Sequence, residues 1–107
     1  MYEVKGSNII LTRGDTFIAT VSMTRGGNTY TPVAGDSIRF AMKKNYSDAQ
    51  PLITKQISYD ALTLRIESND TKTLPVGSYV FDIEITFANG DIDTFISGIL
   101  TLTEEVY

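Results

Sequence analysis

The chain has 107 residues, enough for one domain with a single core, and its 13 acidic against 9 basic residues give a formal net charge of −4. Cysteine and histidine are both absent, which removes disulfides, thiolate and imidazole metal ligation, thiol nucleophiles and Ser-His-Asp catalysis together. An acidic chain has no electrostatic footprint for nucleic acid or an anionic membrane, and no apolar run approaches bilayer length. The opening "MYEVKGSNIILTRGD" lacks a basic region followed by an apolar one. A soluble protein made in the cytosol, without cofactor or metal, is expected.

Period-two patterns recur along the chain, separated by turn residues. "NIILT" reads as a first short strand, and "RGD", Arg13 to Asp15, as the turn that follows it. Phe17, Ala19, Val21 and Met23 then alternate with Ile18, Thr20 and Ser22 until "RGGN". After the short "TYTPV", "SIRFAMKK" sets Ile38, Phe40 and Met42 on one face and Arg39, Ala41 and Lys43 on the other. "LITKQI" reads as an edge strand because its pattern is mixed and Pro51 precedes it. "ALTLRIES" presents Leu62, Leu64 and Ile66 inward, and "SNDTKTL" fits one helical turn capped by Ser68, Asn69 or Asp70. About seven short strands spaced by Gly, Asn and Pro turns predict an all-β fold, an antiparallel two-sheet sandwich of immunoglobulin-like type, formed by residues 1–107 as one domain.

The last two strands carry the sharpest pattern. In "GSYVFDIEITFANGDIDTFISGILTL", Asn89-Gly90 predicts a two-residue type I′ turn. That register pairs Phe87 with Ile92, Ile85 with Thr94, Ile83 with Ile96, Phe81 with Gly98 and Tyr79 with Leu100 on an apolar face. The other face receives Thr86 with Asp93, Glu84 with Phe95, Asp82 with Ser97 and Val80 with Ile99; it is polar apart from its far end and Phe95. Gly98 opposite Phe81 leaves room for the aromatic ring. With "SIRFAMKK" as the neighbouring strand, Arg39 and Lys43 are expected on the same outer face as Asp82, Glu84 and Asp93.

"LPVGSYVF" adds a local signature. Gly77-Ser78-Tyr79 at the start of a strand, after a connection long enough to cross between sheets, resembles the tyrosine corner of immunoglobulin-like domains, in which the hydroxyl bonds upstream backbone. The order "RGDT", "GDSIRFAMKK", "IESNDTKTLPVGSYVFDIEI" and the spacing of Thr94 to Gly98 resembles small domains encoded in structural-gene clusters of phages and prophages. That resemblance covers most of the chain. It implies a sandwich in or near a virion, as a tail, baseplate or neck accessory, and no functional residue is carried over from it.

Each candidate site competes with a structural role. Arg13-Gly14-Asp15 matches an integrin-ligand tripeptide but sits where a turn belongs. Asn45-Tyr46-Ser47 and Asn69-Asp70-Thr71 are glycosylation sequences only in a secretory protein. Asp91 and Asp93 lack the spacing of a calcium loop, and Asp82 and Glu84 lie side by side on one strand, without the opposed geometry of a glycosidase pair. Tyr30, Tyr46 and Tyr59 are candidates for a protein interface or for stacking on a sugar and Phe95 for an interface through the sheet face, whereas Tyr79, Gly77, Asn89 and Gly90 are structural. The expectation is a non-enzymatic structural or interaction module that acts through protein contacts, with itself or with other virion subunits. A carbohydrate-binding or adhesion module is the alternative.

Overall fold

The computed structural model describes residues 2–106. Ten strands and one helical turn lie among them: β1 (Tyr2–Lys5), β2 (Asn8–Thr12), β3 (Phe17–Thr20), β4 (Met23–Arg25), β5 (Asn28–Tyr30), β6 (Ser37–Lys43), β7 (Ile53–Ile57), β8 (Thr63–Ile66), α1 (Ser68–Thr71), β9 (Gly77–Thr86) and β10 (Ile92–Thr103). One sheet runs β1-β2-β10-β9-β6-β7, while β3 pairs with β8 and β4 with β5. All pairs are antiparallel except β2 with β10. This is an immunoglobulin-like β-sandwich: β6, β9 and β10 are adjacent in the order of strands C, F and G, and β3–β8 is the B–E pair of the second layer. The expected edge strand is β7.

Alternation builds the core. β6 buries Ile38, Phe40 and Met42; β8 buries Leu64 and Ile66; β9 buries Tyr79, Phe81, Ile83 and Ile85. Each fully buried aliphatic or aromatic side chain contributes roughly 1.5–3 kcal/mol. The run from Phe17 to Met23 is broken, because Val21 N–H donates to the Leu62 carbonyl at 2.8 Å and the chain restarts as β4. β4 and β5 then pair Arg25 with Asn28 around Gly26 (φ 60) and Gly27 (φ 84). Two successive positive φ values are what a type I′ turn requires, so the chain places that turn here. The helical turn starts one residue earlier than the sequence indicates: Glu67 is its N-cap and exchanges hydrogen bonds with Asp70.

At the β9–β10 loop the structure corrects the sequence reading. Among the described non-glycine residues only Leu62 has a positive φ, so Asn89 does not take the type I′ conformation. Gly90 N–H donates to the Phe87 carbonyl and Phe87 N–H to the Asp91 carbonyl, each at 2.8 Å, with Gly90 at φ 95. The loop is thus three residues, Ala88-Asn89-Gly90, with glycine in the left-handed position. Thr86 consequently pairs with Ile92 and Glu84 with Thr94, one residue off the expected register. A β-bulge at Phe95 absorbs the difference, and from Ile83–Ile96 to Tyr79–Leu100 the pairing is the expected one. Ile92, expected inside opposite Phe87, is 65% exposed. Phe95, expected on the polar face, packs with Ile96 against the core, because the extra residue of a bulge turns it out of alternation.

The tyrosine corner is present. Tyr79 is buried and its hydroxyl donates to the Pro75 carbonyl at 2.5 Å; burial raises its pKa and keeps it protonated. Lys44 lies over the ring with Nζ 4.7 Å from the centroid and donates to the Ser78 carbonyl. Gly77 opens the strand at φ 137, and a Cβ there would lie 3.4 Å from that same Nζ. The tripeptide Arg13-Gly14-Asp15 is a turn, with Asp15 N–H donating to the Thr12 carbonyl. Arg13 bonds the Glu105 carboxylate through Nε and Nη2 and the Leu74 carbonyl through Nη1, tying the end of β10 to the segment before the corner.

Gly98 has a different reason from the one expected. A Cβ on it would sit 2.2 Å from the Ser7 carbonyl oxygen, so the β1–β2 turn, and not the Phe81 ring, requires its absence. Gly98→Ala is expected to force backbone apart and destabilise by about 1–3 kcal/mol, read as a lower urea midpoint; an unchanged midpoint contradicts the close approach. Tyr79→Phe, which deletes one hydrogen bond and leaves the ring, is expected to cost about 0.5–1.5 kcal/mol, and a wild-type midpoint counts against the corner.

Candidate functional site

The outer face of the six-stranded sheet is the most distinctive surface. Even-numbered residues of β9 point outward, away from the buried Tyr79, Phe81, Ile83 and Ile85. Register then aligns Glu84 with Arg39 on β6 and Thr94 on β10, Asp82 with Ala41 and Ser97, and Val80 with Lys43 and Ile99. The expected sharing of a face by Arg39, Lys43, Asp82 and Glu84 is therefore observed. Asp93 is the exception: the loop shift sets it opposite Ile85, and Thr94 takes the outer place beside Glu84.

The two acids differ in environment. Arg39 Nη2 donates to Glu84 Oε1 at 2.8 Å, an ion pair with the guanidinium half exposed. Asp82 takes no ion-pair partner among the described residues. Burial is the main cause that raises its pKa and the charge of Glu84 adds to it, with Arg39 and Lys43 opposing. Asp82 belongs to a small notch of about 80 Å³ lined also by Ala41, Lys43, Tyr46 and Val80.

Beside the charges runs an aliphatic strip. Ile99 is 45% exposed and lies next to the half-buried Val80 on β9. Ile10, 38% exposed, joins from β2, where it aligns with Thr101, two residues along β10 from Ile99. Tyr46, 74% exposed, stands at the other end of the strip past β6. Val80 and Ile99 are readable as an apolar pair on the outer face from the hairpin pattern alone. Ile10 is not, because its place depends on the parallel β2–β10 pairing.

The remaining candidates disperse. Tyr30 is half-buried: its hydroxyl donates to Asp36 Oδ2 at 2.6 Å, its ring meets Phe87 edge-on with centroids 5.4 Å apart, and Arg25 lies 3.8 Å over Phe87. The Tyr30 hydrogen bond is the first cause that lowers the Asp36 pKa, and the cluster closes the end of the sandwich. Tyr59 follows β7 and Tyr46 follows β6, past opposite ends of that strand pair, so the three tyrosines form no common platform. Phe95 is turned inward. Asn89 accepts from Asp91 N–H through its side-chain oxygen and, with Gly90, shapes the loop. Among the described residues no group of three or more Asp or Glu is arranged to hold a metal ion, and no helix is long and apolar enough to cross a membrane.

A cavity of about 190 Å³ opens between the layers, lined mainly by Ile9, Phe17, Ala19, Val21, Ile83 and Ile96. Its walls are largely apolar, with Ser7, Thr20 and Ser22 among them and no acidic or basic side chain.

No protein-family model matches the chain, and no curated protein matches it. Among solved structures, CopC from Methylosinus trichosporium OB3b is similar, with a TM-score of 0.40 and 17% identity, over 71% of this chain and 76% of that chain. At that level the likeness assigns neither ligand nor function to this chain.

The two acids are expected to respond oppositely to removal of charge. Glu84→Gln loses an exposed ion pair and should cost about 0.2–1 kcal/mol, less at high salt. Because the folded-state pKa of Asp82 is raised, ionised Asp82 opposes folding: its stabilising share is present below the unfolded-state pKa and lost as pH rises through the folded-state value. Asp82→Asn should therefore flatten the fall in stability just above the ordinary carboxylate range and leave the neutral-pH melting temperature equal or higher. A lower one contradicts this assignment.

Proposed function

We propose that the protein is a non-enzymatic structural or interaction module of a phage or prophage virion, or of its assembly, and that it acts through protein contacts. The observation that carries this reading is the outer sheet face: built on six strands, with an exposed aliphatic strip beside the balanced charges of Arg39, Lys43, Asp82 and Glu84. An apolar strip with charged and polar residues beside it suits a protein partner, since interfaces have an apolar core and a polar rim. The likeness of "RGDT", "GDSIRFAMKK" and "LPVGSYVFDIEI" to domains of phage structural-gene clusters supports the setting. The dispersal of Tyr30, Tyr46 and Tyr59 weighs against the carbohydrate-binding alternative, which needs aromatic rings on one platform.

The test is direct. Particles induced from the source bacterium and purified on a density gradient should contain this chain by mass spectrometry, at a stoichiometry fixed relative to the other virion subunits. Its absence from particles, together with saturable binding to an oligosaccharide, would overturn the proposal in favour of the alternative.

A further inference from the structure

We infer that the outer face of the six-stranded sheet docks on the same face of a second copy of this chain, with Ile99, Val80 and Ile10 at the centre of the contact. This deepens the proposed function by naming the partner and rests on its premise that the face serves protein contact.

Three observations converge. The first is the strip itself. Ile10 and Ile99 are exposed on adjacent strands and Val80 extends them onto a third, with Tyr46 at the end. Exposed aliphatic side chains scattered singly need no explanation, but a contiguous exposed run on a sheet face marks an interaction surface. Tyrosine is among the residue types enriched at interface hot spots.

The second is charge. The whole chain carries −4, yet the outward positions of β2, β10, β9, β6 and β7 hold two basic residues, Arg39 and Lys43, against two acidic ones, Asp82 and Glu84. The outward side of those five strands is neutral on an acidic protein. Two copies therefore meet there without the net repulsion they would feel elsewhere, and a self-complementary patch is what a two-fold contact requires.

The third is area. At about 4.8 Å per strand and about 3.3 Å per residue, six strands of about seven residues span about 29 by 23 Å. Two such faces bury about 1,300 Å², inside the roughly 1,200–2,000 Å² of a specific complex. The strip lies near the middle of that face, so a dimer covers it fully. Phe95 does not join the strip, because past the bulge it is half-buried and packs against the core.

Sedimentation equilibrium on the purified chain, from dilute solution to about 1 mM, reads the association directly. A dimer mass is expected at the upper end. Ile99→Lys, at an exposed position that the fold tolerates, should weaken the dimer by about tenfold or more at an unchanged melting temperature; Ile10→Ser should weaken it less. Ile18→Lys, at a position 44% exposed on β3 in the other layer, should leave it unchanged. A monomer throughout, or a dimer indifferent to Ile99→Lys, overturns self-docking. Detection of the chain in particles is independent of both results, so a monomer found in virions overturns this inference while the functional proposal stands.

Discussion

The register of β9 against β10 is the constraint on which the rest of the molecule depends. These are the two longest strands, and each contacts another member of the large sheet on its far side: β6 beside β9, and β2 beside β10. A slip of one residue would turn Phe81, Ile83 and Ile85 toward solvent and carry Asp82 and Glu84 into the core, a cost no surface interaction could offset. Two local devices set the register, and they act together. The three-residue loop at Ala88-Asn89-Gly90 displaces the first pairs by one position, and the bulge at Phe95 restores the alignment for every pair from Ile83–Ile96 onward. The outward row of the sheet, ion pair and aliphatic strip included, follows from that alignment.

Around this hairpin the chain fastens its connections with backbone-directed polar contacts in place of disulfides. Tyr79 holds the crossing segment at Pro75, Lys44 holds the start of β9 at Ser78, and Arg13 holds Leu74 and Glu105 together. Gly14 N–H donates to the buried Thr71 hydroxyl, which joins the same region to α1. These contacts meet where β2 ends and β9 begins. They lie at the parallel entry of β2 beside β10, whose register sets Ile10 diagonal to Ile99 on the outer face. The aliphatic strip is thus a product of strand order as much as of sequence.

Much of the architecture is legible in the sequence, because period-two alternation and turn residues are local signals. The sandwich, the adjacency of β6 with β9, the corner at Tyr79 and the sharing of one face by Arg39, Lys43, Asp82 and Glu84 all follow from patterns a few residues long. What is not legible depends on contacts between distant segments or on competing turn chemistries. Asn89-Gly90 satisfies both a two-residue and a three-residue loop, and only the tertiary arrangement selects the longer one; with it the places of Ile92, Asp93 and Phe95 change. Gly98 looks like space for Phe81 until Ser7 is found across it. The docking face was half visible, in Val80 and Ile99. Its extension to Ile10 required a parallel pairing that no hairpin announces.

The account stands on the bulge, and cross-strand nuclear Overhauser effects test it most directly. Contacts between Thr94 and Glu84, between Ile96 and Ile83, and from the Phe95 ring into the core are predicted. Contacts of Phe95 with Glu84 and of Ile92 with Phe87 would show an unbulged two-residue hairpin, return Phe95 to the outer face and contradict the arrangement from which the docking surface is drawn.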